Sequence, residues 1–170
     1  MSRSFDDDFV ALFNGHFQRL YRYLDRLSGD PDLAADLAQE AFIKLHRRGS
    51  LPDAPGAWLV TVALNLFRNA YATRERRAHL LKIVPAAASF ADRSVSPEVA
   101  TESRDLEQRV RAALGGMPER ERQMLLLRAE GYSYREIADA LHLQEASVGT
   151  LLARAKRAFR EIYEDRADAS

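Results

Sequence analysis

Cysteine is absent from these 170 residues, so neither a disulfide framework nor a thiolate metal site can form. Histidine occurs four times, as His16, His46, His79 and His142, and no two stand at metal-ligand spacing. There is no glycine-rich phosphate loop, no His-Glu-x-x-His and no nucleophile elbow. Together these gaps argue against an enzyme, and no cofactor, no metal and no small-molecule substrate is expected. The longest apolar stretch, Ala57 to Phe67, is broken by Thr61 and Asn65 and is too short to span a bilayer. The N-terminus is acidic and lacks a charged-then-apolar leader pattern, so a soluble, cytoplasmic protein without membrane insertion is expected. Net charge is also missing, with 25 basic and 25 acidic residues.

What is present is helical periodicity, punctuated by caps. Phe9, Leu12, Phe13, Phe17, Leu20, Tyr21, Leu24 and Leu27 predict an amphipathic helix from about Asp6 to Leu27. Asp6, Asp7 and Asp8 at its start suit the helix dipole better than a metal. Ser28-Gly29-Asp30-Pro31 reads as a stop, a cap and a first helical proline. A second helix, Pro31 to about Arg47, buries Leu33, Ala34, Leu37, Ala38, Ala41, Phe42 and Leu45, and leaves Asp32, Asp36, Gln39, Glu40 and Lys44 outside. Arg48 to Gly56 carries two glycines and two prolines and reads as a loop. A third helix runs from about Ala57 to beyond Arg77, burying Trp58, Leu59, Val62, Ala63, Leu66, Phe67 and Tyr71. Its other face carries Asn65, Arg68, Asn69, Arg74, Arg76, Arg77 and His79, a set suited to meeting phosphates and splayed bases. Pro85 to Pro97 lacks periodicity and reads as a linker. Ser96-Pro97 restarts a helix that packs through Leu106, Val110 and Leu114 and ends at Gly115-Gly116.

The last third is the most informative. Ser133 to Glu136 is a capping box, and Gly131 suits the stop before it. Ile137, Ala138 and Leu141 share one helical face. His142-Leu143-Gln144 is a three-residue turn. Val148, Leu151, Leu152, Ala155, Phe159 and Ile162 then bury one face of a longer helix, leaving Gly149, Thr150, Ala153, Arg154, Lys156, Arg157 and Arg160 wholly or partly outside. From Glu145 to Arg160 there are four bases and one acid. This is the plan of a helix-turn-helix with a basic recognition helix.

The segment resembles the last domain of bacterial RNA polymerase sigma factors, most closely the small two-domain extracytoplasmic-function (ECF) type. The likeness rests on Met117-Pro118, Glu119 to Arg122, Gly131 to Ala138, and Arg154-Ala155-Lys156. In that family this domain binds the −35 promoter element. The chain has Gly149 where a base is common and Leu151 where a polar or basic residue is common. The resemblance implies −35 DNA contacts at Gly149, Thr150, Ala153, Arg154, Lys156 and Arg157.

The first half resembles the same family. Asp36-Leu37-Ala38-Gln39-Glu40-Ala41-Phe42 is similar to the helix that docks on the clamp helices of the polymerase β′ subunit, which implies Asp36, Gln39 and Glu40 as core-binding residues. The Arg48–Gly56 loop corresponds to the one that captures a flipped −10 base, with no individual residue assignable. Trp58-Leu59, Asn65 and Arg74 to Arg77 are similar to the −10 helix, which implies −10 contacts at Asn65, Arg68, Asn69, Arg74, Arg76 and Arg77. Asn69 replaces a common Asp. Trp58 and Tyr71 read as core rather than base-stacking platforms.

The expected architecture is therefore all-α: two small helical domains joined by a linker. Residues 1–84 form a sigma domain 2-like unit, 85–100 the linker, and 101–170 a sigma domain 4-like helix-turn-helix unit. The implied partners are core RNA polymerase, promoter DNA and an anti-sigma factor. Zero net charge fits a DNA reader whose affinity is partly supplied by a larger assembly. The alternative is a stand-alone helix-turn-helix regulator with an N-terminal dimerisation or sensing domain. A dimerisation helix would expose more apolar surface than the acidic second helix does.

Overall fold

The computed structural model describes residues 4–81 and 101–169. Among these residues the chain forms seven helices: α1 (Phe5–Ser28), α2 (Pro31–Arg48), α3 (Pro55–Leu80), α4 (Thr101–Gly115), α5 (Glu119–Ala129), α6 (Tyr134–Leu141) and α7 (Glu145–Asp168). The Pro85–Pro97 linker and the Ser96-Pro97 restart lie outside the described residues.

The helix ends follow the local chemistry of the sequence. Ser4 and Asp7 form a capping box at α1, so one of the three acids caps the helix and all three stand in its positive first turn. Gly29 adopts φ 67° to end α1, and the Asp30 carboxylate accepts the Leu33 N–H at 3.0 Å to start α2, with Pro31 at the first position. The loop before α3 is shorter than the sequence suggests. Pro55 and Gly56 belong to the first turn of α3, because proline's fixed φ and missing N–H suit that position.

Helices α1, α2 and α3 pack together as the N-terminal half, and α4, α5 and α6 pack around α7 as the C-terminal half. Leu106 does not pack as expected; it is 55% exposed, and Ala113, at 0%, takes the buried place on α4. The two halves are not separate. One apolar cluster runs from Leu20 on α1 through Val60 and Leu64 on α3 to Ile137 on α6 and Leu152 on α7. Helix α3 packs on α6, and α1 on α5. Val60 and Leu64, outside the apolar stripe read from periodicity, are buried. Their burial gives α3 a second apolar face, consistent with a helix apolar nearly all round from Ala57 to Phe67.

Candidate nucleic-acid and polymerase interfaces

The acidic face of α2 is open. Asp36 and Gln39 are exposed and Glu40 is half-buried, while Leu37, Ala38, Ala41 and Phe42 between them point into the core. Gln39 borders a shallow apolar groove with Phe9, Phe13, Phe42, Ile43 and His46. Phe42 meets the Phe13 ring edge-on at 5.0 Å, and Phe13 stacks on Phe17 at 4.8 Å. An acid- and amide-bearing edge beside an apolar groove can take a partner helix through charge-assisted hydrogen bonds and buried aliphatic contacts.

The basic face of α3 divides into three parts. Asn65 and Arg68 are exposed on one turn, joined at 3.4 Å, and they border a cleft whose far wall is Arg120, Gln123 and His142 of the C-terminal half. Asn69, Arg76 and Arg77 are exposed farther along. Arg74 is engaged: it donates to Asp30 at 3.0 Å and ties α3 to the start of α2. The sequence groups Arg74 with the free bases, because nothing local reports a partner 44 residues away. Trp58 and Tyr71 are partly buried against the core, with Tyr71 4.5 Å from Phe67, as expected.

The helix-turn-helix is built as its caps predict. Ser133 and Glu136 satisfy each other's backbone N–H groups, at 3.1 and 2.8 Å. His142 ends α6 with φ 55°, and Leu143 packs on the core as the plug of the three-residue turn. Arg120 reaches from α5 to the Leu141 carbonyl at 2.8 Å, satisfying an orphan acceptor at the end of α6. On α7, Thr150, Ala153, Arg154, Lys156, Arg157 and Arg160 are exposed, while Val148, Leu152 and Ala155 are buried. Gly149 is half-buried beside the Tyr134 ring, where an added Cβ would lie 3.5 Å from the ring edge. Leu151 packs on the core, which accounts for an apolar residue there.

Two carboxylates hold the ends of these elements. The Leu33 N–H is the main reason the Asp30 carboxyl sits below its ordinary 3.8; burial pushes the other way and Arg74 adds to the lowering. Burial pushes Glu136 up, but the Ser133 N–H and Arg19 together outweigh it and leave the carboxyl below its ordinary 4.5. A carboxyl depressed on folding stabilises the folded state above its unfolded pKa, and that stabilisation is lost as pH falls through the folded value. The urea midpoint is therefore expected to drop between pH 6 and pH 3. The drop should be smaller in an Asp30→Asn/Glu136→Gln variant; an identical drop would mean that neither group is linked to folding.

The fold and these surfaces fit a DNA-binding transcription protein, helical throughout its described elements, with a basic helix in each half and a separate acidic face on α2. The family description "Sigma-70 region 2" matches residues 12–77 and "Sigma-70, region 4" matches residues 107–159. The chain is 34% identical over 140 residues to the ECF RNA polymerase sigma factor EcfG of Rhodopseudomonas palustris, covering 78% of this chain and 70% of that one. It is 33% identical over 145 residues to the RNA polymerase sigma-H factor of Pseudomonas aeruginosa, covering 78% and 74%. Its fold matches the sigma factor RpoE of Bartonella quintana, solved in complex with the anti-sigma factor NepR, with a TM-score of 0.68, 24% identity, and coverage of 93% and 98%. The chain belongs to the ECF sigma factors of the sigma-70 family. It is thus a transcription initiation factor that binds core RNA polymerase and directs it to promoters. The stand-alone regulator is not favoured. Among the described residues no helix is long and apolar enough to cross a membrane.

Proposed function

We propose a division of labour in which each half performs one step of promoter recognition. Residues 1–84 dock on core polymerase and engage the −10 region, and residues 101–170 hold the −35 duplex, with 85–100 as the link. Asp36, Gln39 and Glu40 meet basic side chains on the polymerase β′ clamp helices. Asn65, Arg68, Asn69, Arg76 and Arg77 meet the −10 strand, with Arg74 positioning α3 through Asp30. Thr150, Ala153, Arg154, Lys156 and Arg157 enter the −35 major groove, with Gly149 allowing close backbone approach. The chain performs no covalent chemistry and works in the cytoplasm. An anti-sigma protein that covers both halves restrains it; that the similar RpoE was solved in complex with an anti-sigma factor, NepR, supports the existence of such a partner.

The observation that carries this reading is the sorting of faces. Acidic and amide groups on α2 and bases on α3 and α7 are exposed, while every apolar residue interleaved with them on α2 between Leu37 and Phe42 is buried. Two weak readers joined by a link give high affinity only where both elements occur at the right spacing.

The test is capture of purified bacterial core polymerase by the tagged chain, beside an Asp36→Ala/Gln39→Ala variant. Both side chains lie outside the core, so the variant should keep its helical spectrum while its affinity for core falls about tenfold or more, at roughly 1.5 kcal/mol for each charge-assisted hydrogen bond removed. Undiminished capture would reassign the docking face.

A further inference from the structure

A cleft of about 470 Å³ lies between one face of α3, the start of α5 and the end of α6, within the size range of small-molecule sites. Arg68 reaches it from α3, Arg120 from α5 and His142 from the end of α6. All three residues are exposed, so a solute can reach them. Asn65 and Gln123 add amide groups to the wall, and Leu64 and Leu141 add apolar surface.

The charges on this wall do not balance. Arg19, Arg22, Arg26 and Arg74 each meet a carboxylate, but among the described residues no carboxylate lies within ion-pair distance of Arg68 or Arg120. Arg68 donates to the Asn65 amide oxygen at 3.4 Å and Arg120 to the Leu141 carbonyl at 2.8 Å, which leaves most of the N–H groups of each guanidinium for another acceptor. The acid on the wall, Glu119, is engaged elsewhere: it accepts from the Gln123 amide at 2.8 Å, and its charge favours the Arg122 cation. His142 carries a second, independent signal. Among the described residues it is the one residue other than glycine with a positive φ, 55°. Glycine takes that conformation without a Cβ penalty, and the turn of a helix-turn-helix often holds one. Here the end of α6 carries an imidazole instead, and it lines the cleft. Residues other than glycine kept in such backbone positions cluster at binding and active sites.

We propose that this cleft binds a small oligophosphate anion, free or carried on a nucleoside, with Arg68 and Arg120 holding its oxygens from opposite walls and His142 donating a further hydrogen bond. A planar guanidinium fork matches phosphate oxygens two at a time, and such charge-assisted bonds are the strong ones. The Asn65 NH2 group, beside the oxygen that Arg68 engages, donates to the same anion. Leu64 and Leu141 give a nucleoside an apolar seat. Asn65 and Arg68 also belong to the set assigned above to the −10 strand, so a bound anion competes with that strand. This consequence rests on the functional reading above; the site itself does not.

Calorimetric titration of the full chain with inorganic triphosphate, at about 0.1 M salt so that long-range attraction is screened, tests the site. The expected result is saturable binding of one anion per chain. Arg68→Ala and His142→Gly should each weaken it about tenfold or more, as loss of a hydrogen bond to a charged group does. Both variants should keep the helical spectrum, because Arg68 is exposed and glycine suits the backbone at position 142 better than histidine does. Arg160→Ala removes an exposed base of α7 outside the cleft and should leave the affinity unchanged. No saturable binding, or an equal loss with Arg160→Ala, would overturn the site, the latter by showing general attraction to basic surface. A nucleoside triphosphate that binds more tightly than inorganic triphosphate identifies the nucleoside-carried form, and equal affinity identifies the free anion. A short single DNA strand that binds more tightly than either and loses as much with His142→Gly would make the cleft a seat for strand phosphates, which also overturns the proposal. The titration uses neither polymerase nor promoter, so its failure leaves the docking and −10 readings to the capture experiment above.

Discussion

Tyr23→Ala should cost about 3–5 kcal/mol of folding stability, as aromatic truncations in a packed interior do, whereas Tyr23→Phe should be neutral or stabilising by about 1 kcal/mol. Tyr23 is 0% exposed and its ring meets that of Tyr132 edge-on at 6.4 Å, at the seam between the halves. Deleting the ring would open a cavity that both halves line. The hydroxyl contributes differently. It is buried among described residues that offer it no hydrogen bond, and burial, followed by Tyr132, pushes its pKa well above the ordinary phenol value. The neighbouring Tyr132 hydroxyl is pushed up by burial too, to about 12, with Arg19 opposing the rise. Both phenols therefore remain neutral at physiological pH, and the Tyr23 hydroxyl adds a desolvation cost with no partner. Denaturant melts of the two variants check this. A cost above about 1 kcal/mol for Tyr23→Phe would show that the hydroxyl is satisfied in solution.

The second large effect concerns α7. Arg154, Lys156 and Arg157 are exposed, and Val148, Leu152 and Ala155 form the opposite, buried side. Replacing the three bases with alanine should leave the fold intact and remove their interactions with phosphates. Each phosphate left unneutralised lowers the slope of log K against log salt by roughly 0.9, so the triple variant, carried by core polymerase on duplex DNA, should lose about 2 to 3 units of slope. Affinity at about 0.1 M salt should fall about tenfold or more. The effect does not depend on base sequence, so it can be measured before any promoter is known. An unchanged slope would place the duplex on another surface. Loss of the helical spectrum would instead mean that these side chains hold α7 in place through their aliphatic stems.

Some features are legible because their causes are local. A capping box spans four residues, so Ser133 and Glu136 can be paired from sequence and are paired in space. Gly29 and Asp30 are legible for the same reason. The start of α3 reads as loop because proline and glycine signal a loop and also tolerate a first helical turn; the surrounding residues decide which. Leu106 shows the limit of periodicity, which finds a stripe on a helix but not how far the neighbouring helix extends along it.

The long-range contacts are illegible for a different reason. Glu136 has one role within its own turn and another with Arg19, 117 positions away, and only the first leaves a trace in local spacing. Nothing local in the sequence singles out Glu130, yet it is nearly buried under two arginines from the other half. A signal for the second face of α3 is present in the run from Ala57 to Phe67, whose apolar residues exceed what one stripe needs. It shows that something must cover Val60 and Leu64, without naming α6 as the cover.

The sequence by itself determined the helical character of the described residues, the caps at Gly29-Asp30 and Ser133, the helix-turn-helix, the separation of acidic and basic faces, and through its motifs the family. These are set by hydrogen bonds and apolar spacing within a few residues. Tertiary structure alone decided that the two halves share one core, that Arg74 is held by Asp30, and that α1 grips the helix-turn-helix. These contacts join residues whose proximity is fixed by the packing of whole helices, and no short-range pattern in the chain encodes which surfaces will meet.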